Sequence, residues 1–147
     1  MKPDISLVLQ DHATRLAESI VPKLSGFEAN GAAMMSAMLV MIGEEWERGA
    51  ARRVEENAAI RAIFSQASPL VTDPALSTRI KALSVGRDDD LHISVLDTVN
   101  AELRTELTAL HAHVEGLDSD AARGVNDAIW AELSASVKRR ALSSANF

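Results

Sequence analysis

The stretch GAAMMSAMLVMIGEEWERGAARRVEENAAIRAIF, residues 31–64, decides the fold of this chain. Its apolar residues recur at steps of three and four, which is typical of one face of an α-helix. That face carries Met35, Leu39, Ile42, Trp46, Ala50, Ile60 and Phe64. Arg53 and Asn57 lie in the middle of the same face. A polar group in an apolar seam is unfavourable unless another group binds it, so we expect a helix, a second subunit or a ligand beside these two.

The remaining sequence also follows helical periods and predicts an all-α fold, an antiparallel bundle of four to five helices. The long second helix is expected from about Phe27 to Ala67, with a bend or break near Gly43–Gly49 because glycine weakens a helix. Asp73-Pro74 is typical of a helix start. The three aspartates at positions 88–90 are expected to open the next helix. No linker divides the chain, so residues 1–147 are predicted to form a single domain with a frayed tail from about 143 to 147.

Composition excludes several classes of function. The 147 residues carry a net charge of −6, whereas a nucleic-acid binder normally shows a concentrated basic face. The chain has no cysteine, which rules out thiolate chemistry and fits a reducing compartment. Its longest apolar run, residues 32–42, is too short to span a bilayer. We therefore expect a cytoplasmic protein that binds neither nucleic acid nor membrane.

Polar residues on two helices form the first candidate site. Arg53 and Asn57 lie on the second helix, and Asn100, Arg104 and His111 lie on one side of the fourth. If these helices pack together, their polar sides form a partly buried network. One reading is a hydrogen-bond set that fixes the register of the helices. The other is the wall of a ligand pocket, with an arginine offered to a carboxylate or phosphate.

Methionines form the second candidate, since Met34, Met35, Met38 and Met41 cluster in the first half of the long helix. Methionine fills irregular gaps in a core and is also common at adaptable interfaces. A helix that is apolar nearly all round has to be buried on all sides. Burial on all sides is easier in a small bundle when a second chain helps. The sequence therefore predicts a homodimer, and a different protein partner is the alternative.

The sequence lacks the motifs of the common catalytic and metal sites. It has no Glu-x-x-His pair of the di-iron bundles, no nucleophile elbow and no glycine-rich phosphate loop. We therefore predict no catalytic residue, no metal and no cofactor. The leading hypothesis is a non-enzymatic helical interaction or accessory protein that acts as a homodimer. The alternative is a small-molecule-binding bundle or small enzyme with a polar-lined apolar pocket.

Overall fold

The computed structural model describes residues 3–145 and confirms the predicted all-α bundle with one long second helix. No strand occurs among these residues. The five helices, in chain order, are α1 (Ile5–Arg15), α2 (Gly26–Ala67), α3 (Pro74–Ser84), α4 (Ile93–Glu115) and α5 (Asp120–Arg140). A π-helical turn at Leu16–Ile20 and a 3₁₀ turn at Val21–Lys23 follow α1 directly.

Local sequence signals account for most helix ends. Asp4 caps α1 by accepting a hydrogen bond from Leu7 N at 3.1 Å. Asp73 caps α3 by accepting from the backbone N of Ala75 and Leu76, at 2.8 and 3.2 Å, as predicted. Gly26 opens α2 with a φ of +59°, a left-handed conformation that favours glycine because it has no Cβ.

The chain forms two compact units. Unit 2 comprises residues 50–140, in which α4 packs against α3 and α5. Its hydrophobic core consists of Ile60, Ile63, Phe64, Ala67, Val71, Leu76, Ile80, Leu103, Leu107, Leu110, Val114, Ala122, Val125 and Ile129. This core explains the apolar periods of the second half of α2 and of α4. That all 147 residues form a single domain stays a prediction.

Unit 1 comprises residues 1–49 and 141–147 and has a much thinner interior. Among its described residues, only Ala13, Ala32, Ser36 and Gly49 are buried. Ser36 Oγ donates to the carbonyl oxygen of Ala13 at 2.8 Å and so joins α1 to α2. A large apolar side chain is absent from this buried set.

Three expectations about the elements differ from the structure. α2 runs unbroken through Gly43 and Gly49, so the break is absent, and a bend at these glycines stays a prediction. The apolar stripe of α2 is buried at Ile60 and Phe64, but Met35, Ile42 and Trp46 are exposed. The aspartates at 88–90 do not cap α4, which begins at Ile93 after His92 as N-cap.

Candidate interaction face and buried polar network

Asn57 is the centre of a polar network in unit 2. Its side chain is fully buried; it donates from Nδ2 to Asp88 Oδ1 at 3.1 Å and accepts from Asn100 Nδ2 at 2.9 Å. Asn100 is also buried and accepts from Arg140 Nη2 at 3.1 Å. The structure thus brings together the two asparagines that the sequence placed on α2 and α4, so the polar interruption of α2 is bound by protein groups.

An ion pair between Arg61 and Asp88 adjoins the asparagines. Both guanidinium Nη atoms donate to the Asp88 carboxylate at 2.8 Å. The side chains of Asp88 and Arg61 are only 4% and 10% exposed. The hydrogen bonds from Arg61 lower the pKa of Asp88, and burial opposes this without reversing it. Sequence reasoning missed this pair, although Arg61 lies one helical turn after Asn57.

Glu56 connects the network to Arg104 and to the end of α5. Arg140 donates to its carboxylate from Nε at 3.1 Å and from Nη2 at 2.9 Å, and Arg104 donates from Nη1. Burial raises the pKa of Glu56, but the hydrogen bonds from Arg140, Arg104 and Asn100 lower the pKa by more than burial raises it, so the net shift is downward. The predicted candidate Arg104 therefore binds a carboxylate of its own chain.

Arg53 lies at the edge of this network and not in its centre. It donates to Asp97 from Nε at 2.5 Å and from Nη2 at 3.3 Å. Its side chain is 19% exposed, and that of Asp97 is 54% exposed. A pocket of about 180 Å³ beside it is lined by Arg52, Arg53, Glu56, Asp97 and Arg140. This volume is below the roughly 300 Å³ at which small-molecule pockets begin.

His111 lies apart from the asparagines. It donates from Nε2 to Asn126 Oδ1 at 2.9 Å. Its ring meets Trp130 edge to face, with centroids 5.4 Å apart and planes at 85°. His111 therefore joins α4 to α5 further along the helix, where its neighbours are Asn126, Trp130 and Glu115.

The carboxylates of the network are paired with guanidinium groups of the same chain. Each of these carboxylates, on Glu56, Asp88 and Asp97, accepts from at least one guanidinium. Across residues 3–145, no three His, Cys, Asp or Glu side chains are grouped so that they could hold a metal ion. No helix in the same range has the length and apolar character needed to cross a membrane.

The first half of α2 presents a broad apolar surface, which we call the methionine face. Its members lie within about 120° around the helix at 100° per residue and are each between 50% and 92% exposed. They are Phe27, Met34, Met35, Met38, Ile42 and Trp46. Met41, the fourth predicted interface methionine, is partly buried at the border of this face.

A groove of about 330 Å³ lies on the methionine face. Four of its five lining side chains are apolar: Met38, Met41 and Ile42 from α2, and Leu142 from the segment after α5. The fifth is Glu45. The groove is thus formed by α2 together with the segment 141–145, which we call the tail.

Glu44 holds the tail against α2. Its carboxylate accepts from the backbone N and the Oγ of Ser143, both at 3.0 Å, and from the N and Oγ of Ser144 at 3.1 and 2.9 Å. Arg48 Nη1 donates to the same carboxylate at 2.7 Å and to the carbonyl oxygen of Ala141 at 3.3 Å. These bonds involve the start of the tail that the sequence predicts to be frayed. Residues 146 and 147 of that predicted tail lie outside the described residues.

Hydrogen bonds to the charged form of Glu44 explain its acidity. The backbone N–H of Ser143 lowers the pKa most, burial opposes it, and the further bonds from Ser144 and Ser143 bring it to about 2. Glu44 is therefore ionised at neutral pH and binds the tail as a carboxylate. No local pattern predicts this contact, because the partners are about 100 positions apart.

Comparison with models of protein families, with curated proteins and with solved structures finds no match for this chain. The geometry of the methionine face and of the network is therefore the basis of the functional proposal.

Proposed function

We propose that this chain is a non-enzymatic helical interaction protein that acts as a homodimer through the methionine face. The observation that carries this proposal is that unit 1 buries small side chains and exposes large apolar ones. Its described residues bury only Ala13, Ala32, Ser36 and Gly49, while six large apolar side chains stand exposed on one side of α2. A helix gains little stability from an apolar stripe that remains in water. A second protein surface supplies the missing burial.

The size of the methionine face supports a dimer. With roughly 200 Å² for each large side chain, the exposed fractions amount to on the order of 700 Å² per copy. The largest apolar patch of a typical monomer is about 300–600 Å², and a standard interface buries about 800 Å² on each partner. Methionine and aromatic residues are also the types enriched at interfaces.

The polar network supports a structural role for the candidates Arg53, Asn57, Asn100 and Arg104. Their polar groups are bound by Asp97, Asp88, Glu56 and one another. Buried polar groups arranged in this way fix the register of packed helices. These four residues therefore have protein partners, while Nε of the adjoining Arg61 is buried without a hydrogen-bond partner.

A small-molecule-binding protein is the second candidate function, and one observation favours it. The groove on the methionine face, at about 330 Å³, lies within the range of small-molecule sites. Native mass spectrometry of freshly purified protein separates the two functions. A dimer mass without added ligand supports the homodimer, and a monomer mass with a bound small molecule supports the alternative.

Sedimentation equilibrium of wild-type and variant proteins tests the homodimer. We expect the wild type to be dimeric at tens of micromolar and Met38→Glu to be monomeric, because each charge would be buried unpaired in the interface. Val137→Glu is the matched control, since Val137 is exposed on α5 and lies outside the methionine face. Circular dichroism checks that helicity is unchanged. A monomeric wild type, or a Met38→Glu protein that is as dimeric as the wild type, overturns the proposal.

The cytoplasmic location remains a prediction from the sequence. Fractionation of cells that express the chain, followed by immunodetection, measures it directly.

A further inference from the structure

The tail supplies a wall of the groove that α2 does not. Met38, Met41 and Ile42 come from one helix, and Leu142 approaches them from the tail. Leu142 is partly buried, although the two residues on either side of it, Ala141 and Ser143, are exposed. Burial of an apolar side chain in a short segment without regular structure requires that the segment be fixed by other bonds.

Glu44 provides that fixation. Four donors from two successive serines converge on one carboxylate, and hydrogen bonds to an ionised acceptor are the stronger kind. Glu44 is not one of the residues that line the groove; together with Ser143 and Ser144 it lines a different cavity. A substitution of Glu44 therefore changes the tail and leaves the methionine face intact.

We infer that the tail is part of the dimer's docking surface and that Glu44 is a positioning residue for it. By binding Ser143 and Ser144, Glu44 holds Leu142 as the second wall of a groove that receives an apolar side chain from the methionine face of a second copy. This inference rests on the proposed function. In a two-fold symmetric dimer the same patch serves on both copies, so each copy offers both a groove and the methionines that fill one. The unbranched, flexible methionine side chain suits an irregular groove.

The test measures the dimer dissociation constant for Glu44→Ala and Leu142→Ala. We expect each variant to raise it about tenfold, because the defect occurs in both copies. The double variant is expected to be no weaker than either single one, since both changes remove the same wall. Glu47→Ala is the matched control: Glu47 is a carboxylate on the same helix that accepts from Ser6 Oγ instead of from the tail. We expect its dissociation constant to equal that of the wild type.

Hydrogen exchange of the Ser143 and Ser144 amides reports independently on the tail. Glu44→Ala is expected to remove the protection of both amides, and unchanged protection overturns the positioning role. Lost protection with an unchanged dissociation constant shows that the tail is no part of the interface, and lost protection with tighter association shows that the tail covers it. Either result overturns the inference while the homodimer stands. A monomeric wild type is a different result, because it overturns the proposed function itself.

Discussion

Replacing Asp88 with alanine is the sharpest test of the polar network in unit 2. The substitution removes a carboxylate that accepts two hydrogen bonds from Arg61 and one from Asn57. It leaves the Arg61 guanidinium, which is 10% exposed, as a buried charge without its counter-ion. Breaking a buried pair in this way is strongly destabilising, because the remaining charge loses its partner and does not regain water.

We expect Asp88→Ala to lower the free energy of unfolding by about 3–5 kcal/mol. For a chain of this length that corresponds to a fall in melting temperature of about 10 °C. The matched control is Asp97→Ala, which removes a carboxylate that also binds an arginine but is 54% exposed. An exposed pair contributes about 1 kcal/mol or less, so we expect the control to melt close to the wild type.

Urea unfolding followed by circular dichroism measures both variants, and calorimetry gives their melting temperatures. The double variant Arg61→Met/Asp88→Leu is expected to recover only part of the loss, because apolar residues of similar size replace buried pairs well but Asn57 Nδ2 still loses its acceptor. If Asp88→Ala is no less stable than Asp97→Ala, the Arg61–Asp88 pair does not hold this part of unit 2 together, and the reasoning is wrong.

Of four further predictions, two concern pH, one the core and one the orientation of the dimer. The pKa of Asp88 is lowered from 3.8, so the ionised Asp88 carboxylate stabilises the fold fully above pH 3.8, and this contribution is lost as the pH falls through the pKa of the folded state. The difference in unfolding free energy between wild type and Asp88→Ala should therefore shrink in acid. The NMR chemical shifts of the Ser143 and Ser144 amides should follow the titration of Glu44, with a midpoint near pH 2, well below the ordinary glutamate pKa of 4.5. A midpoint near pH 4.5 contradicts the hydrogen bonds from the tail to Glu44. Phe64→Ala should cost about 3–5 kcal/mol because Phe64 is fully buried, whereas Phe27→Ala should leave the unfolding free energy of the monomeric Met38→Glu background unchanged. We expect the two copies of α2 to pair antiparallel, because a parallel pair would place Glu45 beside its own copy. In an antiparallel pair centred on the middle of the methionine face, each Phe27 lies about nine residues from the centre, so spin labels at Phe27→Cys should be about 27 Å apart at 1.5 Å per residue. A label separation near 10 Å would show a parallel pair.

The fold was predictable where a local signal and the core agree. Asp73 caps α3 because its side chain reaches amides two and three residues ahead, which needs no distant partner. The aspartates at 88–90 carry a similar local signal, but Arg61, 27 positions earlier, binds Asp88 inside unit 2. The helix therefore starts later, at Ile93. Two glycines weaken α2 by about 1 kcal/mol each, and that penalty is too small to break a helix of 42 residues.

The candidate site was predictable only in part. The helical period placed Asn57 in the apolar face of α2 and Asn100 beside the leucines of α4, so that the two meet only if the helices pack together; they are hydrogen-bonded. His111 follows Asn100 by about 16 Å along the helix axis at 1.5 Å per residue, which is too far for the same network. Glu56 and Arg140 were missed because charged residues on a helix are usually solvated. Glu56 is buried by partners more than 40 positions away, whereas the side chain of Arg140 is still 51% exposed.

Unit 1 is assembled from two segments that the ribosome produces far apart in time. Gly49 and Ala141, which bound them, are separated by unit 2. At about 5–20 residues per second, synthesis of the intervening stretch takes roughly 5–20 s. During that interval Leu142 has not yet been made, and the nascent helix exposes its methionines to solvent without the tail. A nascent chain that still lacks the tail is therefore expected to bind chaperones at α2 more strongly than one in which the tail is in place.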